Sequence, residues 1–157
     1  DFDTFKKIEQ DVIESVKNGA LAVFLKLHPG SHKIGNSKID VRTCAMGSRQ
    51  FVSRKTGHTI VKNHKPDDFK FWFDSDVGYA TPLLKTSFVA EAFEPILTTG
   101  EPGPDGQWYS AFAAAEMRLG SGGLRVSQID LANRVSDNPI AKFFAYRILG
   151  LDPGILM

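Results

Sequence analysis

The chain has 157 residues, the length of one ordinary domain, and its 42% hydrophobic and 11% aromatic content suffices for a packed core, which excludes wholesale disorder. Cys44 is the only cysteine, so an intrachain disulfide, and with it a disulfide-stapled secreted scaffold, is excluded. Net charge is only +1, from 19 Lys and Arg against 18 Asp and Glu, but it is strongly segregated. The segment 20–66 carries Lys26, Lys33, Lys38, Arg42, Arg49, Arg54, Lys55, Lys62 and Lys65, all four histidines and a single acid, Asp40. That asymmetry has two readings: an anionic partner such as nucleic acid, or internal pairing with the acidic part of the chain that follows.

No apolar run approaches the roughly 20 residues that cross a bilayer, so no transmembrane segment is expected. The N-terminus resembles neither a signal peptide nor a transit peptide. The chain starts at Asp1 without Met, as a processed product or a piece of a longer chain does.

Residues 2–18 predict an amphipathic helix. Phe2, Phe5, Ile8, Val12, Ile13 and Val16 fall on one face at spacings of three and four, and Asn18-Gly19 ends it. The apolar run 20–28 predicts a strand buried on both faces near the middle of a sheet, closed by Pro29-Gly30-Ser31. Residues 37–46 alternate, with Ile39, Val41 and Thr43 on one side and Lys38, Asp40 and Arg42 on the other. Residues 50–64 predict a hairpin closed by Thr56-Gly57, bearing Arg54, Lys55, His58 and Lys62. Pro66-Asp67-Asp68 is a turn, and 69–73 is a strand with Phe69, Phe71 and Phe73 on one side.

Helices are expected after that. Thr81-Pro82 resembles a cap followed by the first helical position, with a stripe of Leu84, Phe88, Val89, Ala92 and Phe93 running to Pro95. Residues 98–107 predict an exposed loop, the Ala-rich 108–119 a strong helix, and Gly120 to Gly123 a flexible joint. Short helices over 127–135 and 139–149 complete the chain, with the cadence of a helix-turn-helix but few cations in its second helix. The expected fold is therefore α+β in a single domain: an N-terminal helix, an antiparallel sheet of about four to five strands over 20–73, and a helical C-terminal half packed on it.

Five constellations carry chemistry. Lys33, Lys38, Arg42, Arg49, Arg54, Lys55, His58 and Lys62 form a candidate phosphate-binding set, with Phe51 and Trp72 as aromatic neighbours for bases. His28 and His32 flank a turn and could meet, but no third ligand follows at zinc-site spacing. Asp74 and Asp76 are candidate ligands for a divalent metal against a phosphate, although the EF-hand pattern fails at once because Lys85 stands where its Glu belongs. Cys44 has Arg42 two residues away but no paired His motif. The C-terminal helix pair is better suited to burial or a subunit contact than to a DNA groove.

The reading that follows is a non-enzymatic module that binds a polyanion, RNA foremost, through its basic strands. It needs no cofactor and self-associates, in the manner of a viral nucleocapsid or matrix component. The expected location is cytoplasmic or intracellular, extending to the virion. A metal-dependent enzyme acting on nucleic acid or a phosphorylated substrate is the alternative, and a protein–protein interaction domain is another.

Overall fold

A computed structural model describes residues 2–44, 57–103 and 105–151. The expected helical second half is wrong. Among the described residues the chain is mostly β, with nine strands in two sheets and three short helices, one of them C-terminal. In chain order the elements are α1 (Phe2–Lys7), α2 (Glu9–Lys17), β1 (Leu21–Leu25), β2 (Gly30–Ile34), β3 (Ser37–Thr43), β4 (Phe71–Asp74), β5 (Tyr79–Pro82), β6 (Thr86–Ala90), β7 (Glu94–Pro102), β8 (Trp108–Leu119), β9 (Gly122–Ser127) and α3 (Pro139–Ile148).

The large sheet is mixed and curls around β8. Phe112 pairs with Thr98 of β7 on one edge and Phe88 of β6 on the other. Farther along β8, Ala114 to Leu119 pair with β9, which pairs in parallel with β1. From β6 the sheet continues antiparallel through β3 to β2. β4 and β5 form a separate two-stranded sheet.

The 108–119 segment is a strand despite four alanines, because helix propensity is a weak preference of a few tenths of a kcal/mol per residue. Both edges of β8 are paired and both faces are covered. Ala113 and Ala114 belong to one core with Phe144, Ile148 and Leu84, while Ala115 belongs to a second core with Phe5, Val16, Ile39 and Phe88. Small side chains let the flanking layers approach closely. The expected helix over 81–95 is instead the end of β5, all of β6 and the start of β7. Pro82 closes β5, and Pro95 lies beside a register irregularity in β7, both places where a missing N–H is tolerated.

The run at 20–28 does make a strand, but an edge one rather than a central one. Its continuous apolarity comes from facing both cores: Val23 packs against one, Ala22 and Phe24 against the other. The N-terminal helix forms as expected, broken at Ile8, which is exposed. Residues 58–63, expected as the return strand of a hairpin, are turns, and the rest of that hairpin lies outside the described residues. β2 was not expected. It returns through the two-residue turn Gly35-Asn36, with Gly35 at φ +58°, as the first position of a II′ turn requires.

The stretch from Gly120 to Gly123 is not a joint but a packed turn. Ser121 N–H donates to Lys17 O and Gly123 N–H to Ala20 O. A Cβ on Gly122 would lie 2.2 Å from the carbonyl oxygens of both Val16 and Ala20. No helix-turn-helix forms either, since 132–137 are turns and only α3 is helical. The strand over 69–73 is shifted, with Phe69 in a 3-10 turn (Pro66–Phe69) and β4 starting at Phe71.

Candidate polyanion-binding face

β3 alternates as its sequence requires. Ile39 and Val41 are buried, whereas Lys38 and Arg42 are exposed on the opposite face. The β2–β3 register places Lys33 directly opposite Lys38, so the two ammonium groups share that face. Arg42 follows on the same face about 13 Å along the strand. Like charges directly opposite destabilise a strand pair. The only acid among them, Asp40, has Nζ of Lys38 at 2.8 Å, and hydrogen bonds from Lys38 and Ser31 hold its carboxyl below the ordinary value. Helix contacts fix this hairpin: Lys6 donates to Lys33 O at 3.2 Å, and Gly35 N–H donates to Glu9 Oε1 at 2.8 Å.

Two further cations, absent from the phosphate-binding set expected from the sequence, converge on Asp130, and one of them neighbours the end of β3. Cys44 N–H donates to Lys85 O at 3.0 Å, which sets Lys85 just beyond Arg42. Lys85 is 74% exposed and lies 3.7 Å from Asp130, which also takes Lys26 at 3.0 Å. Burial pushes the Asp130 carboxyl up, but Lys26, Arg134 and Lys85 outweigh it and hold the group below its ordinary value.

The other sequence-selected residues do not converge here. Arg49, Arg54 and Lys55 lie outside the described residues, as does Phe51. Lys62 is exposed in the 57–63 turns. His58 is drawn inward, with Nε2 at 2.8 Å from Glu116 Oε1, while Glu116 Oε2 accepts from Arg125 Nε at 2.9 Å. Burial raises the Glu116 carboxyl, but these two partners win and hold it below its ordinary value. Arg125 also donates to Arg147 O and Ile148 O at the end of α3, and Arg147 donates back to Thr59 O. His58 therefore closes a ring of contacts that ties its own turn to β8, β9 and α3.

Asp74 and Asp76 are engaged with protein groups. Asp74 Oδ2 lies 2.8 Å from Arg134 Nη2, and Asp74 Oδ1 accepts from Asp76 N–H at 3.2 Å. Asp76 accepts from Asn133 Nδ2. Arg134 is almost completely buried and also meets Asp130 at 3.1 Å. Asp130 lies only four residues before Arg134, whereas Asp74 comes from the end of β4, about sixty residues earlier in the chain. Among the described residues no three His, Cys, Asp or Glu side chains gather where one metal ion could be held. His32 donates to His28 O at 2.6 Å and meets the Phe2 ring edge-on. Trp72 is buried, with its indole N–H donated to Asp68 O. Cys44 is buried beside Glu101 and Ser87, and burial, then the Glu101 hydrogen bond, pushes its thiol up to about 12, far from a reactive thiolate.

Among the described residues no helix is long and apolar enough to cross a membrane. No family model, curated protein or solved structure matches the chain.

Proposed function

We propose that this protein binds a polyanion, RNA foremost, through the exposed face of β2–β3, without itself catalysing a reaction. The observation that supports it is Lys33 set directly opposite Lys38, with Arg42 on the same face and a single acid between them. Two lysines in that relation repel each other, whereas a phosphate chain neutralises both and releases counterions. Beyond Arg42, Lys85 and Lys26 share the carboxylate of Asp130.

The test is binding of a labelled single-stranded RNA across a salt series. The expected result is a steep fall of affinity with salt, and a log–log slope about 1.4 units shallower in the Lys33→Glu, Arg42→Glu variant, at about 0.7 per phosphate contact. An unchanged slope in that variant would refute the face. Self-association belongs to the same proposal, since among the described residues no strand continues the sheet beyond β1 or β2. Sedimentation that shows a monomer at high concentration would remove that part.

A further inference from the structure

Strands β8, β9 and β1 leave a gap on one face of the large sheet. Their register sets Leu21, Gly123 and Arg118 side by side in one row, and Val23, Arg125 and Glu116 in the next row on the same face. Gly123 has no side chain, so the first row is interrupted between an apolar group and a cation. A cleft of about 440 Å³ opens there, bordered by Leu21, Arg118, Ser121 and Arg125. The backbone does not require glycine at this position. Gly123 is outside the left-handed region, and an added Cβ would meet only Leu21 Cδ1 at 3.6 Å and Met117 O at 3.8 Å, ordinary contacts.

Charge in the cleft is unbalanced. Glu116 also lines it, but both its oxygens are engaged, Oε1 with His58 and Oε2 with Arg125. Arg125 spends Nε on Glu116 and Nη1 on the carbonyls of Arg147 and Ile148, and Nη2 has no partner among the described residues. The Arg118 side chain is exposed and makes no ion pair or hydrogen bond among the described residues, and the Ser121 hydroxyl is likewise without a partner among them. One uncompensated positive charge, a spare guanidinium nitrogen and a hydroxyl thus border a cleft of the size that holds small molecules.

We infer that this cleft binds a small phosphate monoester, with Arg118, Arg125 and Ser121 donating to its oxygens and Leu21 against its carbon body. A phosphate offers three acceptor oxygens, one for each donor group, whereas a carboxylate offers two. A single free cation, rather than a row of them, suits one phosphate group and not a phosphate chain. The cleft lies toward the β1 end of the sheet and the Lys33–Lys38 pair at the β2 end, so this inference does not rest on the polyanion reading.

The experiment is an NMR titration with inorganic phosphate, butyl phosphate and acetate at constant ionic strength. The expected result is saturable shifts at Arg118, Ser121 and Gly123 with both phosphates, tighter for the ester, and none with acetate. Arg118→Gln weakens the ester roughly tenfold or more. Gly123→Val, which fills the gap, abolishes binding, and Lys33→Glu, Arg42→Glu leaves it unchanged. Amide signals far from the cleft report whether each variant is folded, and Arg118→Gln, a change at an exposed side chain, keeps the test decisive if Gly123→Val is not. Shifts that do not saturate, an equal response to acetate, or an Arg118→Gln variant that binds as well as the unaltered protein overturns the inference and leaves the polyanion face untouched. Phosphate binding that is lost in the Lys33→Glu, Arg42→Glu variant places the anion on the other face and overturns it too.

Discussion

Arg134 joins Asp74 at 2.8 Å and Asp130 at 3.1 Å from a position with almost no solvent access. One guanidinium thus neutralises two carboxylates and ties the end of β4 to the turns that lead into α3. Arg134→Ala leaves both carboxylates short of a partner, and a cost of about 3–5 kcal/mol is expected. Urea unfolding measures it. A cost under about 1 kcal/mol would mean that water replaces the guanidinium without penalty.

Asp130 and Glu116 fix the acid limit of the fold. Their carboxyls ordinarily titrate at 3.8 and 4.5, and both are held lower in the folded protein. A depressed carboxyl adds stability at pH values above its unfolded value. That contribution declines as pH falls below about 4.5, where the unfolded chain takes up the proton first, and is gone once the folded carboxyl also protonates. Asp130→Asn and Glu116→Gln should each flatten the decline of the urea midpoint between pH 5 and about pH 3. Parallel curves for variant and unaltered protein would show that other groups set the acid limit.

Lys33 opposite Lys38 predicts a trade. Lys33→Thr removes a like-charge pair and supplies a residue that favours strands, so stability should rise by a few tenths of a kcal/mol. RNA affinity should fall at the same time. Thermal unfolding and the salt titration, run on one preparation, read both. A variant that loses stability and keeps its affinity would contradict the account of this face.

Gly122 and Gly57 make a matched pair of tests. Gly122→Ala forces a methyl group against the Val16 and Ala20 carbonyls, and a loss of roughly 3 kcal/mol or more is expected. Gly57→Ala meets nothing within 4 Å and should stay within about 0.5 kcal/mol. Similar values for both would mean that the Gly120–Gly123 turn yields easily.

Elements with one covered face were legible in the sequence. α2 and β3 each show their period because one side is wet: Gln10 and Lys17 lie outward against Val16, and Lys38 and Arg42 against Ile39 and Val41. α3 was legible from its Pro start and the Gly after its end. β8 was not, because a strand covered on both faces has no alternation to read, and its alanines then resemble a helix. The expected helix over 81–95 failed for a related reason. Thr81-Pro82 has the chemistry of a helix start, but Thr81 spends its hydroxyl on Asp74 and Arg134. In the candidate site, local alternation identified Lys38 and Arg42 as exposed, whereas Lys33 was selected from the basic composition alone, because its strand was not expected. Lys85 enters through strand pairing, and His58 leaves it for Glu116, neither of which local spacing records. Phe71 and Phe73 were correctly put on one side, yet that side is the outer one, because Trp72 takes the core.

The parallel pairing of β1 with β9 sets a timetable for synthesis. Leu21 meets Gly123, about a hundred residues later in the chain. As the polypeptide emerges, β1 must wait for most of the remaining sequence before its partner exists, and such distant pairings form slowly. During that wait its apolar side chains are a hazard for aggregation. The preceding helices supply the remedy: Phe2 and Phe5 pack on Phe24, from segments made before it. The amphipathic helices α1 and α2 are thus made before β1 and placed to cover it, well ahead of the synthesis of β9.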